Sequence, residues 1–196
     1  MNFDELLEEV FLITNRRDLV AETESAVKQA TLKAHKTDYY SKDIFESGVD
    51  LKSLDFRHSL DYISLFSNFR TLKYFKRVED ENDDVGKLFD IITPEEVIDE
   101  YERNRTDILY VAGRVLEIRS SVEFQFALLG AYVYPVVREG AYNSWVAEQY
   151  PFAIIHEAAR RILLSIGDRD ESNGQRDLLA EEYAELKLSA VTDTGS

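Results

Sequence analysis

Three histidines, His35, His58 and His156, are the side chains of this 196-residue chain best suited to move a proton near neutral pH. His156-Glu157 opens like the helical zinc motif His-Glu-x-x-His, whose two imidazoles grip a metal from one helix face. The fifth position is Arg160, so the second ligand is missing and His156 reads as a packed helix residue. His35 and His58 stand beside no acid–nucleophile pattern, and no Gly-x-Ser-x-Gly elbow presents a serine. Asp80, Asn82 and Asp84 alternate like the start of a calcium loop. Val85 then stands where glycine is needed and Ile91 where a bidentate glutamate is needed, so a solvated loop is the better reading. The acid pairs Glu8-Glu9, Glu95-Glu96 and Glu181-Glu182 fall on expected helix faces rather than apart across a cleft. Eight glycines are scattered without a phosphate-cradling pattern. Cysteine is absent, which removes disulfides, thiolate metal sites and cysteine nucleophiles together. No catalytic, cofactor-binding or metal-ligating residue is expected. The chain reads as a non-enzyme.

The elements that carry these residues follow from periodicity. A short amphipathic helix begins at Asn2 or Phe3 and runs to about Ile13, with Phe3, Leu6, Leu7, Val10 and Phe11 on one stripe. Asn15 with Asp18 resembles a capping box and predicts a second helix to about Lys36, its stripe made of small residues. The period then changes: residues 44–51, 57–63, 70–78 and 87–92 read as short strands. Thr93-Pro94-Glu95-Glu96 predicts a helix start, with only a short helix following, to about Glu102. Residues 107–112 and 114–119 flank Gly113 as a hairpin, and 123–137 reads as a long strand. Helical period returns over 145–166, broken by Pro151, and Ser172 with Gln175 predicts a last helix to about Ser189. The expected class is α+β: a helical bundle of N-terminal and C-terminal helices with an inserted, mainly antiparallel β module. Its divisions are residues 1–38, 39–137 and 138–190, with 191–196 a flexible tail.

Charge narrows the function. The net charge is −15, distributed as −4 over residues 1–13, +1 over 14–80 and −12 over 81–196. A duplex-binding surface needs several cations on phosphates, so sequence-specific DNA binding is disfavoured. The acidic start is unlike a signal peptide, and the longest apolar run, residues 126–137, is too short to span a bilayer. A soluble protein with no membrane partner is expected.

Several segments spread along the chain resemble the head-to-tail adaptor proteins of tailed bacteriophages. Near the start these are Phe3-Asp4-Glu5-Leu6, Thr14-Asn15-Arg16-Arg17-Asp18-Leu19 and Ala30-Thr31-Leu32-Lys33-Ala34-His35. In the middle come Tyr110-Val111-Ala112-Gly113 and Ile118-Arg119-Ser120-Ser121, then Gly130-Ala131-Tyr132-Val133-Tyr134-Pro135-Val136-Val137. Ser144-Trp145-Val146-Ala147 and the helix over 150–160 complete the pattern. Arg17 stands where the family pattern has proline, and the acidic loop at 80–84 has no counterpart in it.

The resemblance implies a four-helix bundle with a β module, assembled as a dodecameric ring of identical copies on the portal protein. It implies a platform for stopper or tail proteins in the virion neck, assembled in the host cytoplasm, with DNA passing non-specifically through the lumen. An acidic lumen would let DNA slide past without sticking. Portal contact is implied for the C-terminal helix and tail, here Tyr183, Leu186, Lys187, Val191 and Ser196, and the loop carrying Asp80, Asp83 and Asp84 is a candidate subunit or tail contact. No cofactor is implied. Two other readings remain: a regulatory or single-stranded nucleic-acid-binding module using Tyr74-Phe75 between Lys73, Lys76 and Arg77, and a metal-free hydrolase assembled from distant residues.

Overall fold

A computed structural model describes residues 1–78, 86–98, 103–138 and 140–193, the last four of these by backbone alone. The chain divides into two compact units. One comprises Met1–Asp43 with Tyr134–Ser196; the other is Ile44–Val133.

The first unit is helical. Helix α1 (Phe3–Thr14) opens on a capping box, in which Asn2 Oδ1 accepts from Glu5 N and Glu5 Oε2 accepts from Asn2 N, each at 2.9 Å. It ends on Asn15, which adopts the left-handed conformation (φ 51°) that asparagine tolerates. Asn15 therefore closes α1 rather than opening the next helix, and Asp18 binds Arg16 instead of completing a cap. Helix α2 (Val20–Lys36) starts from Leu19 with no side-chain cap. Its buried stripe of Thr23, Ala26, Ala30 and Ala34 lets it pack closely against α5 (Pro151–Ser165), whose first turn Pro151 preorganises. A short helix, α4 (Trp145–Gln149), precedes α5 and is capped by Ser144. Helix α6 (Arg169–Asp193) packs on α5. It begins before Ser172, so Ser172 is no cap; it is buried, and its hydroxyl donates to Arg160 O at 3.2 Å. The helix also continues through 191–193, residues expected in the tail.

The second unit is built round one strand. The two strands expected at 44–51 and 57–63 are a single β1 (Ile44–Asp61), irregular between Asp50 and Arg57 where Lys52 takes a positive φ. A turn of helix, α3 (Tyr62–Leu65), leads to β2 (Phe69–Val78). Short β3 (Lys87–Leu88) and β4 (Asp90–Ile91) follow, then β5 (Ile108–Ala112) and the 19-residue β6 (Val115–Val133). Gly113, at φ 65°, makes the tight β5–β6 turn. Pro94–Val97 is only a 3-10 turn, because Ile98 is already extended and bridges Asn104; the remainder of the helix expected to Glu102, residues 99–102, lies outside the described residues.

Strand β6 pairs along one edge with β1. Its other edge is shared, β5 taking Val115–Arg119 and β2 taking Phe126–Val133. The β3–β4 segment then joins β2 to β5: Lys76 and Arg77 pair with Leu88 and Lys87, Phe89 N donates to Phe75 O, and β4 runs parallel to β5. The expected bundle with an inserted, mainly antiparallel module is thus corrected. The class is α+β, but with six helices among the described residues and a mixed six-stranded sheet curled into a nearly closed barrel. The cause is the length of β6, which offers room for two partners on one edge; a short linking segment then closes them together. Its interior is aromatic and aliphatic, with Phe75, Phe89, Phe124, Leu116, Ile118 and Leu129 at the centre.

Candidate functional site

The most concentrated polar chemistry lies inside the helical unit. His35 stands in the last turn of α2. Asp43 ends a 3-10 turn over Ser41–Asp43, held by Asp43 N donating to Tyr40 O at 3.0 Å. Ser144 is the cap of α4, its Oγ accepting from Ala147 N at 3.3 Å. These local structures bring three distant residues into line. His35 Nδ1 lies 2.7 Å from Asp43 Oδ1, and His35 Nε2 lies 2.9 Å from Ser144 Oγ. A carboxylate only accepts, so Nδ1 carries the proton and, in the neutral ring, Nε2 accepts from the serine hydroxyl. Trp145 Nε1 donates to the same Asp43 oxygen at 2.7 Å.

Atom for atom, these are the contacts of a Ser-His-Asp relay. The surroundings are those of a rivet. His35, Asp43 and Ser144 are 1%, 5% and 4% exposed, and the rings of Tyr40 and Trp145 close over them. Asp43 Oδ2 is buried without a partner among the described residues. Ser144 also borders a recess of about 330 Å³ beside Met1, Glu5, Tyr142 and Glu148. Tyr142 bonds Thr31 Oγ1 at 2.8 Å, and burial pushes its phenol above the ordinary value.

A second buried cluster joins α2, α5 and α6. Glu157 is wholly buried and meets Lys33 Nζ at 3.0 Å, Arg160 Nε at 3.0 Å and Arg161 Nε at 2.7 Å. Burial alone would raise its carboxyl, but the hydrogen bonds from the two arginines and the lysine outweigh it and hold the group at about 2. Lys33 also lies over the Tyr183 ring. The Tyr183 hydroxyl is buried without a partner among the described residues, and burial followed by the Glu157 charge raises its phenol.

The other two histidines are structural fasteners. His58 Nε2 lies 2.9 Å from Phe124 O and 3.1 Å from Asp55 O, tying β1 to β6. His156 Nδ1 donates to Gln175 Oε1 at 2.7 Å and stacks on Phe152, joining α5 to α6. Among the described residues, no three His, Cys, Asp or Glu come together as metal ligands would.

Of the residues expected at a portal contact, Leu186 is fully buried, which leaves it no surface to offer; Tyr183 is half-buried and Lys187 is exposed. The side chain of Val191 lies outside the described residues, as do Ser196, Asp80, Asp83 and Asp84. The Tyr74-Phe75 strip does not form a stacking platform: Phe75 is in the barrel core, and Tyr74 packs over Gly130 and donates to Glu46. Sequence reasoning missed the His35–Asp43–Ser144 line because Ser144 is 109 residues from His35. The available signal was Ser144 as a cap before Trp145-Val146-Ala147.

Compared with known proteins, the chain matches no family model and no curated protein. Among the described residues, no helix is long and apolar enough to cross a membrane.

Proposed function

We propose that this chain is a structural protein of a tailed-bacteriophage virion, placed in the neck. Copies form a ring that docks beneath the portal and carries stopper or tail proteins, with DNA crossing the lumen and no reaction catalysed. The observation that carries this reading is where the adaptor-like segments fall. The stretch 30–35 contributes His35 and Lys33, 144–147 contributes Ser144 and Trp145, and 150–160 contributes Glu157 and Arg160. Three of the segments that resemble adaptors, 30–35, 144–147 and 150–160, thus supply side chains that fasten the helical unit. The acidic balance of the chain also suits a lumen that DNA must cross.

Electron microscopy of the purified chain mixed with its portal ring tests the reading. An added annular layer with one copy per portal subunit is expected. An intact portal ring with no added layer overturns it.

The relay distances favour one second reading, a serine hydrolase with Ser144 as nucleophile, His35 as base and Asp43 as its orienting acid. A fluorophosphonate probe separates the two. Labelling lost in Ser144→Ala would support the hydrolase; an unlabelled, folded chain supports the rivet.

A further inference from the structure

Lys33, Arg160 and Arg161 share a single carboxylate, Glu157, so two positive charges are left over at this point of a chain whose net charge is −15. Arg161 is also one wall of a groove of about 440 Å³ between α2 and α5, floored by buried Ala26 and Ile162. The other wall is α2, where Ala21, Ser25 and Gln29 follow one another at four-residue steps and Lys33 continues the row. Arg161 reaches across to Gln29.

Helix α1 has the opposite character. It carries Asp4, Glu5, Glu8 and Glu9 and no base. Asp4, Glu8 and Leu12 form an exposed row at the same four-residue step, and Leu12 is 66% exposed.

We propose that α1 of one copy docks in the α2–α5 groove of the next copy, antiparallel to α2, with Leu12 seated over Ser25. Each four-residue step is about 6 Å on both helices, so a single register aligns both rows. Glu8 then meets the Gln29–Arg161 pair and Asp4 meets Lys33. The wall residue Glu22 falls opposite the corner after α1, where Arg16 stands, itself paired with Asp18. Within its own chain Glu8 is held by Arg17 in an exposed two-point ion pair at 2.7 and 3.2 Å, which docking must share or break. The two docking surfaces differ, so the contact is heterologous and every copy offers both halves, as a ring requires. The inference rests on the adaptor reading for ring closure, while the contact itself is argued from charge and spacing.

The chain contains no cysteine, so single-cysteine versions report the contact without background. Leu12→Cys and Ser25→Cys chains, both altered at exposed positions, are mixed under mild oxidation, free at high concentration and on the portal ring. A disulfide-linked dimer is expected at about tenfold the yield of either version alone, because docked thiols meet far above bulk concentration. Adding Asp4→Lys to the Leu12→Cys chain should lower that yield, as should raised salt. No mixed dimer in either setting overturns the contact; a layer still forming on the portal would leave the adaptor reading standing. A mixed dimer with no layer on the portal keeps the contact and removes the adaptor reading. Leu12→Cys pairing with itself overturns the heterologous geometry. Capture of Ser25→Cys by Leu188→Cys instead gives the groove to α6 and overturns the assignment to α1.

Discussion

In the helical unit, charged and polar side chains are taken inside: Glu157 beneath three cations, Asp43 between His35 and Trp145, Thr31 against Tyr142. The β unit fills its interior with rings, Phe75, Phe89 and Phe124 meeting edge-on or tilted at 5.2–6.2 Å between centroids. Its polar ties sit at the rim, as where Asp107 receives Lys87 and Ser121. Among the described residues His58 and Ser120 are buried exceptions: His58 is satisfied by backbone carbonyls, and Ser120 lies between Arg77 and Asp107. Aromatic contacts are forgiving of shape and indifferent to pH. Buried polar contacts demand one geometry and one protonation state. The two units should therefore answer differently to substitutions that barely change volume.

Glu157→Gln gives the largest expected effect. The side chain keeps its size, but Lys33, Arg160 and Arg161 are left facing one another without their shared anion. Breaking a buried pair costs 3–5 kcal/mol; these cations are partly exposed and can rehydrate, so about 3 kcal/mol is expected in urea unfolding. Acid should act in the same way. The Glu157 carboxyl sits at about 2 when folded and near 4.5 when unfolded. Its stabilisation is thus complete above pH 4.5 and is lost as pH falls toward 2, about 3 kcal/mol in all, and the Gln variant should lack that dependence. A variant as stable as the parent at pH 7 would mean that the buried charges contribute no more than the rings do.

Asp43→Asn probes the other polar node. Asparagine can still accept from His35 and Trp145, but its amide then buries a donor where Asp43 Oδ2 has no partner among the described residues. About 2 kcal/mol should be lost. Trp145 is the only tryptophan, so its near-ultraviolet dichroism and fluorescence report the node directly. Unchanged tryptophan spectra in a destabilised variant would place the damage elsewhere.

How far the sequence revealed these nodes depended on distance along the chain. The stripe of α1, the turn at Gly113 and the start of α5 at Pro151 are local, and each is where periodicity and turn chemistry put it. Asn15 misled because one side chain suits either end of a helix, and the choice was settled by which turn it closed. Ser172 misled because its cap pattern was real but its hydroxyl was engaged by Arg160 O from a neighbouring helix. Barrel closure was illegible for a related reason. Nothing local in Lys87–Leu88 or Asp90–Ile91 states that they join β2 to β5. The same holds for Glu157, which looks like any helix-face acid until Lys33 arrives from another helix.

Phe89→Leu, in the barrel, should cost only about 1 kcal/mol, since a hydrophobic swap of similar size is tolerated when neighbours can shift. Phe75 and Phe124 lie within ring contact of it and can close part of the gap. A loss as large as that of Glu157→Gln would show a barrel packed as exactingly as the helical nodes.

Asp107→Asn sharpens the comparison from the rim. Asp107 holds a positive φ of 58°, which asparagine tolerates. The amide oxygen can still accept from Ser121 N and Ser121 Oγ, both at 2.9 Å. What is lost is the Lys87 contact at 2.6 Å, in which the lysine is half exposed, together with the second contact of Ser121 Oγ at 2.8 Å. Pairs of that kind contribute at most about 1 kcal/mol. Burial tends to raise the Asp107 carboxyl, but Lys87 and Ser121 hold it at about 2 against an ordinary 3.8, so its small contribution should fade as pH drops through that interval. Acid titration of the parent beside Asp107→Asn and Glu157→Gln measures both terms on one scale. If removing the rim charge flattens the acid limb as much as removing the buried one, the two units do not differ in kind. If only Glu157→Gln flattens it, acid sensitivity belongs to the helical unit, and the rings of the barrel have no share in it.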